Sequence, residues 1–303
     1  MFRLKSLKFI LPIVLIVVGI WYFVIKDYNY RITFTINQPQ GIVYHGLTKW
    51  NNGELPNNKV VTTLNQTPFN QISQSLMVGD SVFKINWELK KKNDSSTFVI
   101  AKIKDEKNSF KQNLQVPFTN NTFVKQSISV VKNFSETLLL NKKNYKISDV
   151  TRDKIPTRYC AYIPLQSSTE GKAITMVRNI PKIMNYIKGN NIQITGSPFV
   201  EVTNWDIVKD SISFNFCFPI QKTNSYPKTD QVFFKQTKER EVLKTIFNGN
   251  YKISHMAWYK IINYAEVNNI KIDKLPVEFF LNDPHAGGND LEWVAEVYIG
   301  ITD

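Results

Sequence analysis

Hydrophobic and polar positions alternate in three different ways along the 303 residues. From Phe9 to Ile25 (FILPIVLIVVGIWYFVI) no charged residue interrupts the apolar run, which Lys8 and Lys26 bracket. At 17 residues it is at the short end for a membrane-spanning helix. Trp21, Tyr22 and Phe23 stand where a cleaved signal would need small residues, so the run reads as an uncleaved anchor with aromatics near one interface.

Between residues 28 and 150 the period shortens. Tyr30 to Asn37 alternates as a strand, and Gly41 to Trp50 fits a short helix ending near the Asn51-Asn52-Gly53 turn. Ser81 to Lys90, Thr97 to Lys104 and Phe110 to Val116 read as meander strands separated by polar turns. Phe123 to Leu140 then places Phe123, Ser127, Val130, Val131, Phe134, Leu138 and Leu139 near helical spacing, closing the segment with an amphipathic helix.

Beyond residue 150 the chain repeats itself. Asn185 to Pro198 (NYIKGNNIQITGSP) matches Asn263 to Pro276 (NYAEVNNIKIDKLP) at seven of fourteen positions, offset by 78. A helix precedes each copy, about Ala173 to Lys188 with Pro181 inside it, and about Ser254 to Val267. Strands precede these helices at Thr157 to Leu165 and Arg240 to Phe247. Further strands follow at Pro198 to Asn204 with Ser211 to Ile220, and at Pro276 to Asn282 with Glu292 to Ile301. Two strand-helix-strand-strand copies make a pseudo-symmetric antiparallel sheet with helices on one face, and a groove between repeats on the other is where a ligand is expected. The fold class is therefore α+β: an N-terminal transmembrane helix (1–27), an α+β domain (28–150) and a duplicated C-terminal domain (151–303).

One acid stands out against this pattern. Glu278 sits in KLPVEFFLND, Lys274 to Asp283, among Leu275, Val277, Phe279, Phe280 and Leu281. An ionised carboxylate among apolar neighbours has to be paired, hydrogen-bonded, neutralised or turned to water. If Val277, Phe279 and Leu281 pack beneath the helices, alternation sends Glu278 and Phe280 to the groove. There a carboxylate and ring faces would meet a cation, with Tyr251, Trp258, Phe280 and Trp293 as candidate aromatic walls. The same alternation leaves open that Glu278 faces water, and that Trp258, at helical spacing, is a core residue. Glu296, alternating with Val294 and Tyr298, is a possible second acid and equally an ordinary strand glutamate.

Charge narrows the partners. The formal net charge is +13, but residues 1–150 carry 20 Lys and Arg against 9 Asp and Glu, and residues 151–303 carry 18 against 16. A basic first half is compatible with nucleic acid, an anionic membrane surface or a solvated lysine-rich face, and a near-neutral second half speaks against nucleic-acid reading there. Arg3, Lys5 and Lys8 ahead of the apolar run favour a cytoplasmic N-terminus and an exported, periplasmic bulk. Cys160 and Cys217 are the only cysteines and form no CxxC; a single disulfide stays open if they lie on neighbouring strands. His45, His255 and His285 are far apart in sequence with no HExxH or GxSxG context, so nucleophilic catalysis has little support; no metal or cofactor is expected.

The order of Gly249-Asn250-Tyr251, a helix bearing Ala257-Trp258, Pro276-Val277-Glu278-Phe279, Asn282-Asp283-Pro284 and a final Glu296-Val297-Tyr298-Ile299 strand resembles the GyrI-like effector-binding domain of bacteria, over about residues 152–303. The order of elements in 28–150 resembles a degenerate START-like (SRPBCC) helix-grip domain, and also fits an α+β domain of no named type. The first resemblance implies that Glu278 lies in an aromatic-lined cleft and contacts a ligand, often a lipophilic cation; some members are hydrolases that use a glutamate and an aromatic residue. Two departures matter. No helix-turn-helix precedes the domain, so nucleic acid is not an expected partner. In the first repeat the counterpart of Glu278 is Val200, with Glu201 one step along on the opposite strand face. Three functions follow as expectations: a membrane-anchored protein binding a small lipophilic ligand, cations included, at Glu278; a small-molecule hydrolase using Glu278; or an envelope structural or interaction protein with a filled pocket.

Overall fold

The computed structural model describes residues 2–50, 61–284 and 287–302, with side chains from residue 11 onward. The expected Asn51-Asn52-Gly53 turn and His285 lie outside the described residues. The chain divides into two compact units: the first holds residues up to 36, 43–90 and 98–138, and the second holds 37–42, 91–97 and everything from 139 onward.

The first unit begins with helix α1 (Phe2–Ile20), whose winding changes to a π-helix over Trp21–Ile25. This break corrects the expectation of a continuous spanning helix. The α-helical share of the Phe9 to Ile25 run stops at Ile20, and among the described residues no helix is long and apolar enough to cross a membrane. Strand β1 (Tyr30–Ile36) and helix α2 (Gln40–Lys49) follow as the spacing predicts. Then come β2 (Val61–Thr67), β3 (Gln71–Val78), β4 (Ser81–Lys91) and β5 (Thr97–Asp105), in a five-stranded sheet of order β1-β5-β4-β3-β2.

The stretch expected as a strand at Phe110 to Val116 is instead helix α3 (Ser109–Gln115). Its inward residues are polar, not apolar: Gln112 and Asn113 are buried and bond to Asp105 and Asn29, while Phe110 and Leu114 stay exposed. Hydrophobic alternation therefore misled. Helix α4 (Thr122–Asn141) buries Phe123, Val130, Val131, Phe134 and Leu138, and Phe134 meets Trp50 and Trp87 at 5.3 and 5.1 Å.

The second unit is built on a nine-stranded sheet. In chain order its elements are β6 (Tyr145–Ile147), β7 (Thr151–Ile155), β8 (Tyr159–Ser167), α5 (Lys172–Gly189), β9 (Phe199–Asp206), β10 (Ser211–Pro219), β11 (Phe233–Gln236), β12 (Arg240–Gly249), α6 (Met256–Val267), β13 (Val277–Phe280) and β14 (Val294–Gly300). The strand order is β11-β8-β10-β9-β13-β14-β12-β6, with β7 also on β12. Each repeat is a strand, helix, strand, strand unit, as the sequence repeat implies. The two meet where β9 pairs antiparallel with β13.

That junction is pseudo-symmetric residue by residue. Glu278 faces Val200 in the register, Val202 N donates to Pro276 O and Phe280 N donates to Pro198 O. All three pairings join positions related by the 78-residue offset or symmetric about it. The repeated asparagines also gain a physical reason. Asn191 and Asn269 end their helices in the left-handed region (φ 54° and 55°), which asparagine tolerates better than most residues. The residue after each one closes back five positions, Ile192 N to Ile187 O and Ile270 N to Ala265 O. Helix α5 runs through Pro181 without ending.

One core fills the space between the sheet and the two helices, with Ile183 and Ile187 from α5, Trp258 and Ile261 from α6, and Val200, Phe280 and Val297 from the sheet. A smaller cluster lies on the opposite sheet face: Phe199, Val277, Phe279, Tyr298, Cys160 and Cys217.

Candidate functional site

The two clusters settle which way β13 faces. Val277 and Phe279 belong to the open face, where Phe279 stacks on Phe199 at 4.8 Å, and Glu278 and Phe280 point beneath the helices. This reverses the expected orientation. All four residues of β13 are buried, because the strand lies in mid-sheet with packing on both sides, so neither face is marked by polarity.

Glu278 and Lys172 are both 0% exposed and form an ion pair. Lys172 is the first residue of α5, a position where the helix dipole disfavours a cation, so an acid is needed to hold it there. Its Nζ also donates to Ser254 Oγ at 2.9 Å and lies 4.8 Å from the Trp258 ring centroid and 5.9 Å from that of Phe280. Trp258 Nε1 donates to Glu278 Oε1. Ser254 Oγ accepts from Lys172 and has one proton to share among Tyr251 O and the two Glu278 oxygens, all 3.0–3.1 Å away. Burial pushes the Lys172 ammonium below its ordinary value, and attraction to Glu278 opposes this without cancelling it.

The predicted aromatics divide into two groups. Tyr251, Phe280 and Trp293 touch in a row, at 4.8 and 5.7 Å from Tyr251. Tyr251 follows Gly249, whose φ of 153° and contacts of about 3.0 Å from a would-be Cβ to Tyr145 leave no room for a side chain. Expected as a wall of an open groove, Tyr251 is buried, and its hydroxyl donates to Val294 O at 2.9 Å. Burial pushes its pKa up, and the charge of Glu278 adds to this. Trp258 lies apart from that row, edge-on to Trp205 at 5.1 Å, and is a core residue that also bonds Glu278. Glu296 is on the open face, taking Lys244 Nζ at 2.9 Å and Tyr298 Oη at 2.7 Å.

Sequence reasoning missed Lys172 and Ser254. A lysine at the start of a helix is usually solvated, and the signal available was indirect: a carboxylate on a buried strand requires a partner. The arrangement is a closed cage of carboxylate, hydroxyl and ring faces around one primary ammonium. Cys160 and Cys217 lie on the adjacent strands β8 and β10, and both are buried and free.

No protein-family model matches the chain, and no curated protein matches it. Solved structures similar to it include the EcmrR C-terminal domain (15% identity, 52% of this chain and 98% of that one, TM-score 0.45). A hydrolase from Listeria innocua gives 13% identity, 54% and 98% coverage and a TM-score of 0.36. SAV2435 bound to tetraphenylphosphonium gives 8%, 51% and 94%, and 0.36. These values are low, and the reading of the site rests on its own residues.

Proposed function

We propose that the second unit is a small-molecule-binding module of the effector-binding type whose cation site is occupied by its own Lys172. The observation that carries this is the Lys172 ammonium held between Glu278, Ser254 and the Trp258 face, all beneath the helices. An ammonium surrounded by a carboxylate and aromatic rings is the chemistry a lipophilic cation would seek. A ligand of that kind exchanges with Lys172 instead of entering an empty cleft. Its apparent affinity is then reduced by the fraction of molecules in which Lys172 has left the cage.

A second reading, a structural or interaction module with a permanently filled cage, is favoured by the same buried lysine. A hydrolase reading has less support, because Glu278 has no exposure through which to meet a substrate. The experiment is a titration of the full chain with tetraphenylphosphonium, followed by tryptophan fluorescence. Binding should be weak in the wild type, tighter in Lys172→Ala, and lost when Glu278→Gln is added to that variant. Equal affinity in wild type and Lys172→Ala sinks the exchange reading, and no binding in any variant favours the filled module.

We also propose that the N-terminal apolar run attaches the protein to a membrane, with the bulk of the chain exported. Its support is the charge-free sequence Phe9 to Ile25 and the exposure of Leu11, Leu15, Ile16, Trp21 and Ile25 on the helix. Alkaline extraction that releases the full chain from membranes would overturn it.

A further inference from the structure

The open face of the second sheet carries a separate cavity of about 300 Å³, near the lower end of the range for small-ligand sites. Its floor is the apolar junction of the two repeats, Phe199, Val277 and Phe279. Its rim is basic: Arg158, Lys235, Lys238 and Arg240 line it, against the single acid Glu201. Two of the four cations are already matched, Lys235 by Glu201 and Arg240 by Asp273 at 2.5 Å. Lys238 is exposed at the mouth.

Arg158 is the unusual member. Its guanidinium lies 5.1 Å from the Phe279 ring centroid, and its Nε is buried with no hydrogen-bond partner. Among the described residues no carboxylate pairs with it. Buried polar atoms without partners are uncommon in folded proteins, and a guanidinium has five N–H donors in a fork that fits a carboxylate. Its backbone is fixed from both directions: Arg158 N donates to Thr237 Oγ1 at 2.9 Å and Thr237 N donates to Arg158 O at 2.8 Å. Gly196 gives the head group room, since a Cβ there would stand 3.2 Å from Nη1. A cation held above an aromatic floor, with free donors and surplus positive charge around it, is a built half of an ion pair.

We propose that this cavity binds a small apolar monoanion, a flat aromatic carboxylate whose ring packs on Phe199, Val277 and Phe279 and whose carboxylate takes the fork of Arg158. The site is on the opposite sheet face from Glu278 and of opposite charge preference, so it does not depend on the exchange reading above. Guanidinium–carboxylate pairs are planar and bidentate, which Lys at the same position would not reproduce.

The test titrates the full chain with 2-naphthoate by calorimetry, with 2-naphthamide as the neutral control. Saturable binding of the acid is expected, with affinity at least about tenfold lower for the amide and for Arg158→Met, the scale of a lost charge-assisted pair. Lys238→Glu should weaken binding less than Arg158→Met does. Arg158→Lys, which keeps the charge and the fold, should fall with Arg158→Met. Absence of saturable naphthoate binding overturns the proposal, as does equal affinity for acid and amide.

Discussion

Glu278 and Glu201 lie on neighbouring central strands one register step apart, Glu278 opposite Val200 and Glu201 opposite Val277. Each is paired with a lysine. The strand pleat sends them to opposite faces, and there the likeness ends. The Lys172–Glu278 pair has no exposure at either partner, while the Lys235–Glu201 side chains are 23% and 28% exposed. Glu201 also takes Asn215 Nδ2 at 3.0 Å and keeps contact with water. The comparison teaches that the same two residue types serve as an internal clamp on one face and as an adjustable rim on the other. Solvent access, not chemical identity, decides which.

The comparison predicts effects of different size on the two faces. Glu278→Gln should be the most damaging change, because it strands a buried lysine, and urea denaturation should show a loss of about 3–5 kcal/mol. Replacing both partners, Lys172→Met with Glu278→Leu, should recover most of that stability; a double variant as unstable as Glu278→Gln would break the clamp picture. Trp258→Phe keeps the ring beside Lys172 but removes the Nε1 donor to Glu278, and should cost about 1–3 kcal/mol in the same measurement. Glu201→Gln on the open face should cost about 1 kcal/mol or less, and the cost should shrink further in high salt.

The smallest effect concerns Glu296 and Lys244. Burial pushes the Glu296 carboxyl up, but hydrogen bonds from Lys244 and Tyr298 outweigh it and hold it below the ordinary value. Burial likewise works to lower the Lys244 ammonium, yet bonds to Glu296 and Tyr298 raise it well above its ordinary value. The folded carboxylate binds its proton less tightly than the unfolded one, so its contribution is present above the ordinary carboxylate range and lost as pH falls through the lowered pKa. The lysine contribution is complete below the ordinary ammonium value and lost as pH rises through the raised one. Thermal melting of Glu296→Gln should therefore differ from wild type by about 1 kcal/mol or less near neutrality, with the gap closing in acid. A gap that grows in acid would contradict the pairing.

The repeat, the helices and most strands of the second unit were legible because the duplicated Asn-Asn-Ile-x-Ile signature carries a helix end and, at Ile194 and Ile272, an isolated β-bridge to the far strand of its own repeat. The need for a partner at Glu278 was legible too. Its direction was not: Val277 to Phe280 is buried on both faces, so alternation cannot say which set lies under the helices. Lys172 was hidden because its nearness to Glu278 arises from tertiary packing across 106 positions, with no local pattern to announce it. In the first unit, Phe110 and Leu114 imitated a strand while Gln112 and Asn113 did the burying. Apolar alternation does not read a helix docked through its amides.

The register at the repeat junction has one further consequence. A two-chain ancestor made of identical halves would place the same residue on both sides of the axis that runs between Val200 and Glu278. Directly opposed residues on antiparallel strands have Cβ atoms about 5 Å apart, so an acid there would face its own copy in a dry interior. Joining the halves in one chain releases that constraint: a single carboxylate can stand opposite valine and receive a single lysine. A lone carboxylate opposite valine is an arrangement that strict twofold symmetry does not allow.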